Sequence, residues 1–247
     1  MFSLLLLGFL IGMRHAFEAD HIAAVATLVS KTNSLKQAVK LGAIWGLGHT
    51  ITLFLVGSIV FMTNIFIPSI VANWLEFVVG LMLVILGIDV LRRMISEKIH
   101  FHIHQHKEIS PHFHAHSHKG ENKVKGKEAA SHCDNSHFHQ HQHQQDARLS
   151  FRALFIGVLH GMAGSAALII LTLETIKSPL QGLIYISLFG FGSILGMAIL
   201  SYVISIPLRA SAKGLTWINN GLQLGIGGFT IILGSIILVD NAVLMGI

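Results

Sequence analysis

Five side chains that can carry charge or hold a metal, Arg14, His15, Glu18, Asp20 and His21, stand in the segment "RHAFEADH", inside a stretch otherwise apolar enough to lie in a bilayer. Asp and Arg at the centre of a membrane helix each cost about 2.5–3.5 kcal/mol on insertion scales, so such groups face a cavity and have partners. Two imidazoles and a carboxylate form a donor set for a divalent transition metal, because imidazole suits Ni, Cu, Zn and Fe while a carboxylate neutralises charge. A plainer reading covers part of the set: Arg14 and Glu18, four residues apart, can pair across one helical turn. It leaves His15, Asp20 and His21 without a reason to be there.

Helix geometry sharpens the expectation. At about 100° per residue, Asp20 lies roughly 140° and His21 roughly 240° around the axis from His15, with about 9 Å of rise across the motif. A regular helix cannot aim all three at one ion, so the chain is expected to be unwound or kinked between Gly12 and His21, as in the discontinuous helices of transporters. His49, flanked by Gly46 and Gly48 in "WGLGHT", is the candidate fourth donor. His160 in "LHGMAGSAAL" is a candidate ligand, gate or proton acceptor, with Glu18 a further candidate for metal binding or gating and Ser165 and Thr172 as weaker path-lining groups. An intramembrane zinc enzyme is disfavoured, since the two histidines of "HAFEADH" are six apart rather than the four of H-E-x-x-H. The chain is read as a non-enzyme without a cofactor.

A second group of donors lies in "IHFHIHQHKEISPHFHAHSHKG" and "SHCDNSHFHQHQHQQD". His100, His102, His104 and His106 alternate with other residues, as do His112, His114, His116 and His118, and His137, His139, His141 and His143; Cys133, the single cysteine, lies nearby. An internal, irregular run of this kind reads as metal binding rather than as a tag or spacer. It holds too little apolar surface to offset ordering entropy, so disorder is expected over 96–149 when metal-free. Flexible imidazoles exchange metal readily, which suits a buffer or sensor.

The elements that must position these residues follow from composition. Of 247 residues, 52% are hydrophobic and 12% charged, about half the charged share of an ordinary soluble chain. Runs of about twenty apolar residues, enough to cross roughly 30 Å of hydrocarbon, place helices near 3–30, 38–62, 70–93, 151–174, 181–207 and 217–239. "MFSLLLLGFLIGM" lacks a basic start and a small-x-small cleavage site, so it is read as mature protein. The net charge of +5 lies in segments flanking helices, which argues against a nucleic-acid partner. Lys31, Lys36 and Lys40, then Arg92, Arg93 and Lys98, then Arg209 and Lys213 follow the first, third and fifth helices. By the positive-inside rule those loops, the histidine-rich one included, are cytoplasmic and both termini are outside a cytoplasmic (inner) membrane.

The halves on either side of the loop are related. "GMRH" at 12–15 matches "GVLH" at 157–160, "WGLGHT" at 45–50 matches "FGFGSI" at 189–194, and Gly80 and Gly87 match Gly227 and Gly234, at an offset close to 145 residues. Three helices per half is odd, so the second copy must be inverted. The expected fold is an all-α polytopic membrane protein: a three-helix repeat in 1–95, the histidine-rich loop in 96–149, and a second three-helix repeat in 150–247. Gly42 and Gly46, Gly192 and Gly196, and Gly221 and Gly225 give small-xxx-small faces for close helix packing.

"RHAFEADHI", a histidine followed after four residues by Asp-His, resembles the signature of the nickel/cobalt transporter family, and "LGHT" resembles its second histidine motif. The segment "HGMAGSAAL" is similar to the urease-accessory-type membrane proteins. The resemblance implies membrane passage of Ni²⁺ or Co²⁺ as transported substrate, with His15, Asp20, His21 and His49 at the metal-handling positions and a nickel chaperone or the urease or hydrogenase maturation proteins as cytoplasmic partners. Uptake by a secondary permease is the leading expectation, there being no Walker A motif for ATP hydrolysis. A histidine-rich loop is also similar to nickel/cobalt efflux proteins. Export, and a membrane metal sensor that binds without transporting, are the alternatives.

Overall fold

The computed structural model describes residues 2–32, 34–63, 68–96, 101–106, 109–115, 147–163, 178–214 and 216–247. In chain order its helices are α1 (Phe2–His15), α2 (Ala19–Val29), α3 (Leu35–Thr63), α4 (Ser69–Ser96), α5 (147–163), α6 (Pro179–Gly214) and α7 (Thr216–Met245). Four of them, α3, α4, α6 and α7, are each long and apolar enough to cross a membrane. The first expected helix, 3–30, is two. The chain leaves helical geometry at Ala16–Glu18, and at about 1.5 Å per residue neither α1 nor α2 spans hydrocarbon alone.

The break is built from local hydrogen bonds. The Phe17 and Glu18 amides donate to Arg14 and His15 carbonyls three residues back, at 2.9 and 3.0 Å, so the α-helical ladder of α1 ends there. Glu18 is extended, with φ −68° and ψ 152°, and its carbonyl accepts the Ile22 amide to start α2. No glycine or proline marks this interruption. What marks it is the polar cluster, which a continuous helix would have scattered around its circumference.

Helix packing is close because glycine removes the side chain at the crossings. A Cβ on Gly12 would fall on the Phe189 carbonyl oxygen and one on Gly157 on the Trp45 carbonyl oxygen. The same reciprocity holds for Gly192 against Phe9 and Gly48 against Leu154, and for Gly80 with Gly234 and Gly87 with Gly227. Contacts made by one half thus recur in the other with the partners exchanged. Rising numbers on α4 meet falling numbers on α7, and the same holds for α3 on α6, so both pairs are antiparallel; α1 runs parallel to α6 and α5 parallel to α3. Gly42, Gly46, Gly192 and Gly196 lie in such crossings, whereas Gly221 and Gly225 meet nothing within 4 Å. That third small-residue face is not a packing face among the described residues.

The main core, including Trp45, Leu41, Ala24, Leu28 and Met197, lies where α2, α3, α5 and α6 meet. Outward positions such as Ile59, Phe191 and Ile232 are apolar and about 60% exposed, as expected of surfaces that face lipid rather than water. The short connection after α2 is tied down by Lys31, whose ammonium lies 2.6 Å from the Asp89 carboxylate on α4. Burial pushes that ammonium below its ordinary value, against the pull of Asp89.

Outside 96–149, every regular element among the described residues is a helix. Within 96–149, where an unfolded segment is expected, β1 (Phe101–His106) and β2 (Ile109–Ala115) form an antiparallel hairpin that pairs His102 with His114 and His104 with His112. The alternation of histidine with Phe101, Ile103 and Phe113 has the two-residue period of a strand, a local preference that composition alone obscured. His106 lies at the end of β1. His100, His116, His118, Cys133, His137, His139, His141 and His143, with Ser165 and Thr172, lie outside the described residues.

Candidate metal centre

The break between α1 and α2 does what the spacing required. It swings His15, the last residue of α1, toward His21 in the first turn of α2, with ring centroids 4.4 Å apart. His49 from the middle of α3 comes to 5.2 Å from His15 and 5.3 Å from His21, and His160 of α5 stands 4.3 Å from His21. Four imidazoles from four helices therefore meet in one place. All four are buried: His15 is 7% exposed, His21 1%, His49 0% and His160 2%.

Ligand atoms of His15, His21 and His49 lie within 4.8 Å of one another, and so do those of Asp20, His21 and His160. The two groups share His21. Asp20 does not stand beside His15 as a third donor to the same point. Its Oδ1 is 2.8 Å from His21 Nδ1 and its Oδ2 2.9 Å from His160 Nε2, so it spans two imidazoles.

Glu18 likewise reaches His15, with Oε2 3.0 Å from Nδ1. The Arg14–Glu18 pair does not form, because that pairing presupposes a continuous turn through residues 14–18, which is where the helix breaks.

These contacts orient the rings. An ionised carboxylate only accepts, so His15 and His21 present N–H at Nδ1 and a lone pair at Nε2, while His160 presents its lone pair at Nδ1. Those three lone-pair nitrogens are buried and lack a hydrogen-bond partner, as are both nitrogens of His49. Buried polar nitrogens are rarely left unpartnered, and a carboxylate behind an imidazole is the arrangement that fixes tautomer and raises ligand basicity at metal sites.

Backbone electrostatics divide the place as well. The C-terminal end of α1 favours positive charge and the N-terminal end of α2 favours negative charge. Asp20 sits at the latter, its Oδ1 also accepting the His21 amide at 2.8 Å. Trp45, fully buried four residues before His49 and 5.3 Å from His21, walls the group with its indole nitrogen unpartnered. Sequence reasoning missed it. The i, i+4 spacing in "WGLGHT" was the available signal.

The chain is 32% identical to the urease accessory protein UreH of Bacillus sp. (strain TB-90) over 224 residues, covering 91% of this chain and 86% of that protein. The chain belongs to the UreH family. This accords with the nickel/cobalt transporter resemblance carried by "RHAFEADHI" and "LGHT". UreH is named as an accessory protein rather than an enzyme, in keeping with the non-enzymatic reading. A more distant likeness, 25% over 231 residues, is to the Arabidopsis thaliana chloroplast protein FOR GROWTH AND FERTILITY 1, covering 89% of this chain and 56% of that one. No protein-family model matches the chain, and no solved structure does.

Proposed function

We propose that this UreH relative is a secondary permease that carries Ni²⁺, and Co²⁺ as a related ion, inward across the cytoplasmic membrane and hands it to the histidine-rich segment for urease or hydrogenase maturation. The observation that carries the reading is the buried cluster of His15, His21, His49 and His160, whose lone-pair nitrogens lack partners while Asp20 and Glu18 back three of the rings. Such an N-donor set binds Ni²⁺ tightly and Cu²⁺ more tightly still, so selectivity rests on geometry. Because His21 belongs to both donor groups, the His15–His49 side and the His160 side meet at one imidazole, with no stretch between them that lacks a protein ligand. Binding shared over adjacent positions is what lets a tight site still release its ion.

The reading takes the molecule as two inverted three-helix repeats: α1–α2, α3 and α4, then α5 with the residues after it, α6 and α7. Its support is that α3 and α6 run antiparallel, as do α4 and α7, while the close contacts recur with partners exchanged. His15 and His160 then occupy related positions, with the donors at the repeat interface where transporters bind substrate. Both termini are outside and the histidine-rich loop is cytoplasmic in this reading.

Radioactive nickel tests it. Expression raises cell-associated nickel if the protein imports and lowers it if the protein exports, and reconstituted protein that binds nickel without flux is a sensor. Asp20→Asn keeps the shape but loses the charge that fixes two imidazoles, and is expected to weaken nickel binding by about 10- to 100-fold, read by calorimetric titration of the purified protein. Removal of residues 100–145 should change apparent affinity in cells yet leave flux in liposomes, because none of the four converging histidines lies there.

A further inference from the structure

The charged cluster at Lys31 and Asp89 borders a groove that the transport reading does not use. It holds about 640 Å³ and lies between α2, α4 and α5. One end is polar: Lys31, Asp89, Arg92 and Arg152 line it. Lys31 is held by Asp89, whereas Arg92 and Arg152 are exposed and make no ion pair among the described residues. Three cations against one carboxylate leave the mouth positive. The rest is apolar, floored by Leu28 and Leu159 and walled by Val78, Leu81, Ile85 and Phe155, the last four 39–58% exposed on the outer surface.

We infer that this groove is a binding site for one anionic phospholipid, its phosphodiester headgroup held by Arg92, Arg152 and Lys31 and an acyl chain laid along α4 and α5. Each feature fits that occupant. The charged mouth lies at the end of the helices where α4 leaves for the histidine-rich segment and α5 returns, at headgroup depth, and basic pockets between membrane helices hold anionic headgroups. From Arg92 to Val78 the helix rises about 21 Å, enough to accompany an acyl chain through one leaflet of about 15 Å. A soluble anion would use the mouth and leave the apolar wall without a ligand. The floor reaches Leu159, next to His160, so the lipid packs behind the helix that carries one of the four histidines.

The test uses full-length protein extracted in mild detergent, mixed with phosphatidylglycerol and phosphatidylcholine of identical acyl chains, and examined by native mass spectrometry. One phosphatidylglycerol should be retained in preference to phosphatidylcholine. The preference should fall about fivefold in Arg152→Gln and roughly 30-fold in the variant with Arg92→Gln added, as loss of one and two surface cations implies. Ile85→Trp, which fills the apolar wall without touching charge, should weaken retention of both lipids. Equal retention of the two lipids by the native protein, an unaltered preference in the double variant, or displacement of the lipid by glycerophosphoglycerol lacking acyl chains would each overturn the assignment. So would binding that appears only after residues 100–145 are removed, since the groove would then be the seat of that segment.

Discussion

His21→Ala reduces nickel accumulation to the level of cells lacking the protein. The expectation is total because His21 is the one donor common to both groups: without it, His15 and His49 are left as a two-imidazole pair and Asp20 and His160 as a carboxylate–imidazole pair, with no ligand joining them. Loss of an orienting carboxylate costs 10- to 100-fold in affinity, and loss of the shared ligand should exceed that, at least a hundredfold in nickel binding by the purified protein. His49→Ala and His160→Ala each leave the other group whole and should retain measurable binding while slowing flux. Combining them should cost more than the sum of the two, since each then removes the alternative the other relies on. Thermal melting of the His21→Ala protein separates loss of the site from loss of the fold. A variant that melts normally and transports at native rate would remove the cluster from the path.

Much of this was legible in the sequence because charge inside a bilayer is costly and spacing on a helix is fixed. The impossibility of aiming His15, Asp20 and His21 from one regular helix required a break, and the chain breaks at Ala16–Glu18. His49, flanked by Gly46 and Gly48, was the candidate fourth donor to the first helix, and His160 stood at the position matching His15; both converge on His21. The glycines that recur at an offset close to 145 residues, Gly12 with Gly157, Gly80 with Gly227 and Gly87 with Gly234, lie at helix crossings too tight for an added Cβ.

What the sequence left hidden depends on where side chains turn once the break exists. Glu18 was spaced for Arg14 on an unbroken helix and turns to His15 instead. Asp20 has the chemistry of a metal ligand, but its position beside His21, on the first turn of α2, lets its two oxygens serve His21 and His160 together. Trp45 looked like any buried aromatic until α3 was placed against α5. The hairpin in the histidine-rich segment was masked by composition, which counts residues without regard to their alternation.

Gly12→Ala and Gly157→Ala should each destabilise the protein and loosen its grip on nickel, while Gly221→Ala should do neither. At Gly12 and Gly157 the added carbon would lie on the Phe189 and Trp45 carbonyl oxygens, backbone atoms that cannot rotate away, whereas nothing lies within 4 Å of Gly221. Overpacking of this kind costs about 1–3 kcal/mol, which in a chain of this length lowers the melting temperature by roughly 2–12 °C. Function should suffer beyond stability. Each glycine precedes a histidine by three residues, Gly12 before His15 and Gly157 before His160, so the crossing and the donor share one helix face. Pushing α1 away from α6 withdraws His15 from His49, and pushing α5 away from α3 withdraws His160 from Asp20. Nickel titrations at a temperature where all three variants remain folded should therefore show weakened binding for the first two and native binding for the third. If Gly12→Ala and Gly157→Ala melt and bind like Gly221→Ala, the close crossings do not hold the histidines in place.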